Sequence, residues 1–119
     1  MGFQETLENV VKSSGGGVGG LIMAMDGIVV ESFVTEPAID IQLFGAEVAA
    51  VLAQLRGRSA IHLSAGRVEA VDLWAGQFNA VIRFLSDEYF VAIAVRRGGQ
   101  VARARHLLRC AMPDLVSQL

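Results

Sequence analysis

The sequence predicts an α+β domain, a five-stranded antiparallel sheet with helices on both faces in the order α-β-β-α-β-β-β-α. Three observations support this class. Apolar residues recur at helical spacing in some segments and in strand-length runs in others. Asp26-Gly27 separates two apolar runs, which is a strong hairpin signal. The last strands are apolar on both faces, so a helix layer on each side of one sheet is the economical way to bury them.

Turn-forming and helix-capping residues separate the predicted elements in the first half of the chain. The elements predicted for the whole chain are a helix at 3–13, strands at Gly19–Met25 and Ile28–Phe33, a long helix from Ile41 to about Leu63, strands at Arg67–Trp74, Phe78–Leu85 and Tyr89–Arg96, and a last helix after Gly98-Gly99. Asp26-Gly27 is expected to form a tight primed turn, because that turn needs positive φ. Pro37 breaks the second strand, and Asp40 is a candidate N-cap for the long helix.

Three strands and a helix make up the second half. Glu69 and Asp72 make the first of these strands more polar than the other two, which suits the edge of a sheet. In the last helix Pro113 removes one backbone hydrogen bond, so a kink or a break is expected near Met112.

Charge is unusually sparse in this composition. Only 18% of the residues are charged and 53% are hydrophobic, against about 25% charged in a typical soluble domain. A small domain has much surface for its volume. Too few charges to cover that surface indicate that part of it meets another chain.

Composition also excludes several classes of protein. The length fits one domain over residues 1–119, and the apolar content excludes disorder. The longest uncharged stretch, Ser13–Met25, is shorter than the roughly 18 residues that a membrane span needs. No signal-peptide pattern is visible, and a single Cys cannot form an internal disulfide, so a cytoplasmic location is expected. The net charge of −2 gives no reason to expect nucleic acid as a partner.

The long helix has two apolar sides. The side expected to pack on the sheet carries Phe44, Val48, Val51, Leu52 and Leu55. The other is a stripe of small residues, Ala46, Ala49, Ala50, Ala53, Gly57 and Ala60. Alanine can be present simply because it favours helices. We favour a close contact with a second copy, since small apolar side chains let helices approach without desolvating a charge.

No motif assembles a catalytic, metal or cofactor site. Gly15–Gly20 matches G-x-G-x-x-G, but it follows a helix and precedes a strand, the reverse of a nucleotide-binding loop. His106 and Cys110 can share a helix face, yet a zinc site needs about four ligands. Ser59 and Ser64 flank His62 on the predicted long helix, but a serine and a histidine three residues apart on a helix are commonplace. We therefore expect no enzyme activity, no metal and no cofactor.

Arginines gather towards the C-terminus, at Arg96, Arg97, Arg103, Arg105 and Arg109. The favoured interpretation is the solvated face of the last helix. The alternative is a surface for an acidic protein partner.

Several segments together carry a family pattern. They are Gly19-Gly20-Leu21-Ile22, Asp26-Gly27-Ile28-Val29, the long helix from Asp40, the three closing strands and Leu107-Leu108-Arg109. In these features the chain resembles the roadblock/dynein light chain family, and within it the short bacterial MglB-like proteins. The resemblance covers nearly the whole chain.

This resemblance implies a homodimer and a partner. In the family, the long helices pair and edge strands join two sheets, which maps the interface onto the small residues of the long helix and onto Val71 and Leu73 of the edge strand. The dimer would bind a Ras-like small GTPase in polarity or motility signalling. MglB-type members stimulate GTP hydrolysis without inserting an arginine finger, so no catalytic residue is carried over. The alternatives are an adaptor subunit of a signalling or motor complex, and a small-ligand sensor, because the element order also resembles profilin-like and longin-like folds.

Overall fold

The helices and strands follow one another in the predicted order in this computed structural model, which describes residues 2–56 and 64–119. The elements are α1 (Phe3–Ser13), β1 (Gly17–Ala24), β2 (Val29–Val34), α2 (Ile41–Arg56), β3 (Ala70–Trp74), β4 (Phe78–Phe84), β5 (Tyr89–Arg96) and α3 (Val101–Ser117). The predicted fold class is confirmed. The expected continuation of α2 to about Leu63 lies outside the described residues.

The five strands form one antiparallel sheet in the order β2-β1-β5-β4-β3. The predicted position of β3 at an edge is confirmed, although the strand begins at Ala70 rather than Arg67. The other edge strand, β2, is irregular. Its register against β1 shifts between Ile22 and Met23, which leaves Val30 without an opposite residue. The two edges of the sheet therefore differ in regularity.

Helices cover both faces of the sheet. Alternation along β5 supplies one face with Val91, Ile93 and Val95, which pack with α1 and α3. The opposite face carries Phe90 together with the small residues Ala92 and Ala94, and it packs with α2. All these side chains are buried, so β5 is the centre of both cores.

The hairpin between β1 and β2 is confirmed, but the expected two-residue primed turn is wrong. The Ala24 N–H donates to the Ile28 carbonyl (2.8 Å), and the Gly27 N–H donates to the Ala24 carbonyl (2.9 Å). Of the loop residues only Gly27 has positive φ, at +93°. This is the three-residue loop that places glycine in the left-handed region after a type I turn. Asp26 contributes through its carboxylate, which accepts from the Ile28 N–H at 3.1 Å.

The break expected near Met112 is absent, because α3 continues through Pro113 to Ser117. Proline removes a single N–H from the helix, and the buried Leu115 holds the last turn on the core. The Ser117 hydroxyl (2.8 Å) and the Gln118 amide (3.1 Å) both donate to the Asp114 carbonyl. These contacts keep the final turn helical.

Gly17 begins β1 where the strand passes close to the end of α1. A Cβ on Gly17 would lie 2.1 Å from the Val11 carbonyl oxygen. A backbone atom cannot rotate away, so we expect Gly17→Ala to lower the free energy of unfolding by at least about 2 kcal/mol in urea denaturation. Gly76→Ala is the matched control, since a Cβ there meets nothing within 4 Å. Equal stability of the two variants would contradict this close approach.

Candidate functional site

One side of α2 is left uncovered by the residues that the structure describes. Val48, Ala49 and Leu52 pack on the sheet. The residues on the outer side are Gln42, Leu43, Ala46, Glu47, Ala50, Val51, Ala53 and Gln54, and all of them are exposed. Glu47 is the single charged residue among them. The result is a weakly polar helix face turned to solvent, which we call the outer face of α2.

The small residues predicted for the interface divide into three groups. Ala46, Ala50 and Ala53 lie on the outer face of α2. Ala49 does not, because it is only 3% exposed and packs in the core beneath the helix. Gly57 and Ala60 lie outside the described residues. The helical repeat explains Ala49, which stands next to Val48 and one turn before Leu52 on the inward side.

Two larger residues of this face were not predicted there. Leu43 and Val51 are each 57% exposed, although Val51 was expected to pack on the sheet. In a helix that is apolar all round, spacing alone does not decide which side is inward. The exposed area is therefore bulkier than a stripe of small residues.

An open groove of about 220 Å³ runs between α2 and the edge strand. Its lining residues are Phe44, Glu47, Val48, Val51, Leu52, Val71, Leu73 and Ile82. Val71 and Leu73, the two strand residues predicted for the interface, are half-buried and form its β3 wall. The groove thus connects the outer face of α2 with the edge of the sheet.

Strand β3 has backbone groups along its outer edge that pair with no other described strand. Within the described residues it pairs with β4 alone. The Phe84 N–H donates to the Glu69 carbonyl (3.1 Å), and the Ala75 N–H donates to the Phe78 carbonyl (3.3 Å). Antiparallel alternation from these bonds turns the N–H and C=O groups of residues 70, 72 and 74 away from β4. Such an edge is a template for another strand.

Arginine contacts hold the surroundings of this edge in place. The Arg56 guanidinium lies over the Phe84 ring (3.7 Å to the centroid), and its Nε donates to the Val68 carbonyl (2.9 Å). Arg56 also pairs with Asp87, at 2.9 Å from Nη1 to Oδ1, and Arg67 shares that carboxylate oxygen. The end of α2 is thereby tied to the start of β3.

The C-terminal arginines are exposed. Arg105 pairs with Asp72 of β3, with Nε 3.0 Å from Oδ2. The others, Arg96, Arg97, Arg103 and Arg109, form no ion pair within residues 2–56 and 64–119. The surface is solvated, as the favoured interpretation requires, and it carries uncompensated positive charge, as the alternative requires.

The structure places the motifs that were considered for a nucleotide or metal site. Gly15 and Gly16 join α1 to β1, and residues 17–20 begin that strand, so the motif does not open a helix. His106 Nε2 and Cys110 Sγ lie 3.6 Å apart on the exposed side of α3. In the described part of the chain no group of three His, Cys, Asp or Glu side chains could hold a metal ion. His62 lies outside that part. No described helix has the length and apolar character needed to cross a membrane.

Solved structures resemble this chain. No model of a protein family matches the sequence, and no curated protein matches it. MglC from Myxococcus xanthus is 30% identical over the whole of both chains, with a TM-score of 0.71. Myxococcus xanthus MglB is 10% identical and has a TM-score of 0.82 over 96% of this chain and 84% of its own. A Roadblock/LC7 domain from Streptomyces avermitilis is 13% identical, with a TM-score of 0.71 over 97% of this chain and 98% of its own. The full-length similarity to MglC shows that the chain belongs to the roadblock/LC7 family, as its sequence predicted.

Proposed function

We propose that the chain is a homodimeric roadblock module that binds and regulates a Ras-like small GTPase in the cytoplasm. Its family relationships are with regulatory or adaptor proteins rather than with enzymes. The observation that supports a dimer is that two surfaces left without a partner among the described residues adjoin each other. The outer face of α2 lacks an apolar partner, and the adjoining β3 edge lacks a hydrogen-bonding partner in the described residues.

A second copy satisfies both surfaces at once. Antiparallel pairing of β3 with its own copy supplies the missing ladder, and it carries each α2 towards the other across the junction. Leu43, Val51 and the exposed alanines then lose their contact with water, which stabilises the pair. Glu47 is the single charge on the described outer face, so few charges need to be desolvated.

Regulation in this proposal works through binding. No catalytic residue is carried over from the family resemblance. The dimer would bias the conformation of the GTPase's own catalytic residues, and its effect would appear as a changed rate of GTP hydrolysis or of nucleotide exchange.

The test combines the oligomeric state with GTPase kinetics. Sedimentation should give a dimer, and the purified chain alone should hydrolyse no GTP. Added to the Ras-like GTPases encoded beside it, the dimer should change the rate of hydrolysis or of exchange, and Ala53→Arg should abolish the effect. If the wild-type chain leaves both rates unchanged for all of these GTPases, the regulatory role is wrong.

An adaptor role is the second candidate, and it is favoured by the arginines of α3 that form no ion pair among the described residues. Arg103 and Arg109 are exposed on this helix, and an acidic protein could pair with them. In that case the GTPase assay shows binding without a kinetic effect, and Arg103→Gln with Arg109→Gln weakens capture of the acidic partner.

A further inference from the structure

Trp74 is the single tryptophan of the chain, and it lies at the end of β3 with 72% of its surface exposed. Tryptophan is highly buried on average, and exposed examples are enriched where another protein packs. Residues 70, 72 and 74 alternate with Val71 and Leu73, so Trp74 lies on the side of the sheet that carries α3. Asp72, on the same side, contacts Arg105 of α3.

Arg83 has an unsatisfied polar atom on that same side. It lies on β4 opposite both Ala70 and Val91, and Val91 belongs to the core under α1 and α3. The Nε of Arg83 is buried and has no hydrogen-bond partner among the described residues. A cavity of about 380 Å³ opens next to Arg83, Glu69 and Leu85. Space, and a guanidinium that forms no ion pair among the described residues, therefore lie beside the start of β3.

The free edge of β3 restricts how two copies can join. Residues 70, 72 and 74 direct their backbone groups outward. When two identical strands pair antiparallel about a two-fold axis, the numbers of any two opposite residues add up to the same value, and that value defines the register. Only the sum of 144 gives all three residues a partner, with residue 70 opposite 74, 72 opposite 72, and 74 opposite 70. This register satisfies the most backbone groups.

We propose that two copies pair in this register, and that Trp74 of each copy packs on Ala70 and against the Arg83 guanidinium of the other. The proposal rests on the homodimer proposed above and adds its register and its central aromatic contact. Ala70 is small and exposed, so it leaves room for the indole. The ring face attracts the guanidinium, and shielding from water strengthens that attraction.

The register also gives a role to the ion pair between Arg105 and Asp72. It places the Asp72 carboxylates of the two copies opposite each other, and like charges in that position destabilise a sheet. Each Asp72 is already paired with Arg105 of its own chain, at 3.0 Å from Nε to Oδ2. The charge at the junction is thereby compensated before the copies meet.

Fluorescence of the single tryptophan tests the contact directly. As the concentration rises through the dissociation constant measured by sedimentation, the Trp74 emission should move to shorter wavelength and acrylamide quenching should fall. A dimer whose Trp74 stays as accessible to quencher as in the monomer overturns the proposed contact and leaves the homodimer standing. A chain that stays monomeric overturns both proposals.

A double-mutant cycle tests the pairing of Trp74 with Arg83. Trp74→Ala and Arg83→Gln should each raise the dimer dissociation constant about tenfold, and the double variant should do little more than either. Arg97→Gln, at an exposed arginine beyond β5, should show no coupling to Trp74→Ala. Trp74→Phe, which keeps an aromatic ring, should raise the dissociation constant less than Trp74→Ala does. Additive effects, or no restoration by phenylalanine, overturn the contact.

Discussion

Ala53→Arg is expected to convert the dimer into a folded monomer and to raise the dissociation constant at least about 100-fold. Ala53 is exposed on the outer face of α2, where the second helix is proposed to approach. An arginine there would be buried without a partner, and an unpaired buried charge costs several kcal/mol. Sedimentation velocity over a range of concentrations measures the change.

Asn9→Arg is the matched control for that variant. Asn9 is also an exposed helical residue, but it lies on α1, which packs on β1 and β2 at the other end of the sheet from β3. It should leave the dissociation constant within about twofold of wild type, since isolated surface substitutions have small effects. Dimerisation of Ala53→Arg with wild-type affinity would show that the interface is elsewhere.

Phe90→Ala should lower the free energy of unfolding by about 3–5 kcal/mol, the range for removing a buried aromatic ring. Phe90 is 0% exposed on the central strand and packs with α2, Leu21 and Met23 in one core. Neighbouring β5 residues on that face are alanines, which cannot fill the space. Urea denaturation in the Ala53→Arg background separates this loss from dimer dissociation.

Trp74→Ala in the same background is the control for size and aromatic character. Its ring is mostly exposed in the single chain, so the free energy of unfolding should change by less than about 0.5 kcal/mol. A similar loss for both aromatic residues would mean that Phe90 is not the centre of the core.

The sheet was predictable because its signals are local. Alternation of apolar residues placed the strands to within about three residues, and Glu69 and Asp72 indicated the edge. The turn type was not predictable in the same way. Asp-Gly suits a two-residue loop and a three-residue loop alike, and the choice depends on the register of the flanking strands.

The site was only partly predictable, because sidedness depends on tertiary packing. Ala46, Ala50 and Ala53 were placed on the correct side by their size, while Ala49 and Val51 were exchanged between the two apolar sides of α2. The exposure of Trp74 left no signal in the sequence. It results from where α3 lies over the sheet, which no local pattern specifies.

The irregular β2 edge bears on how large an assembly can grow. A sheet that accepted strands at both edges would continue from molecule to molecule as a filament. The bulge at Val30 interrupts the ladder that an incoming strand would follow, and Glu31 adds a charge beside it. A strand of another molecule can therefore pair with β3, whereas pairing with β2 is obstructed. We expect association to end at the dimer.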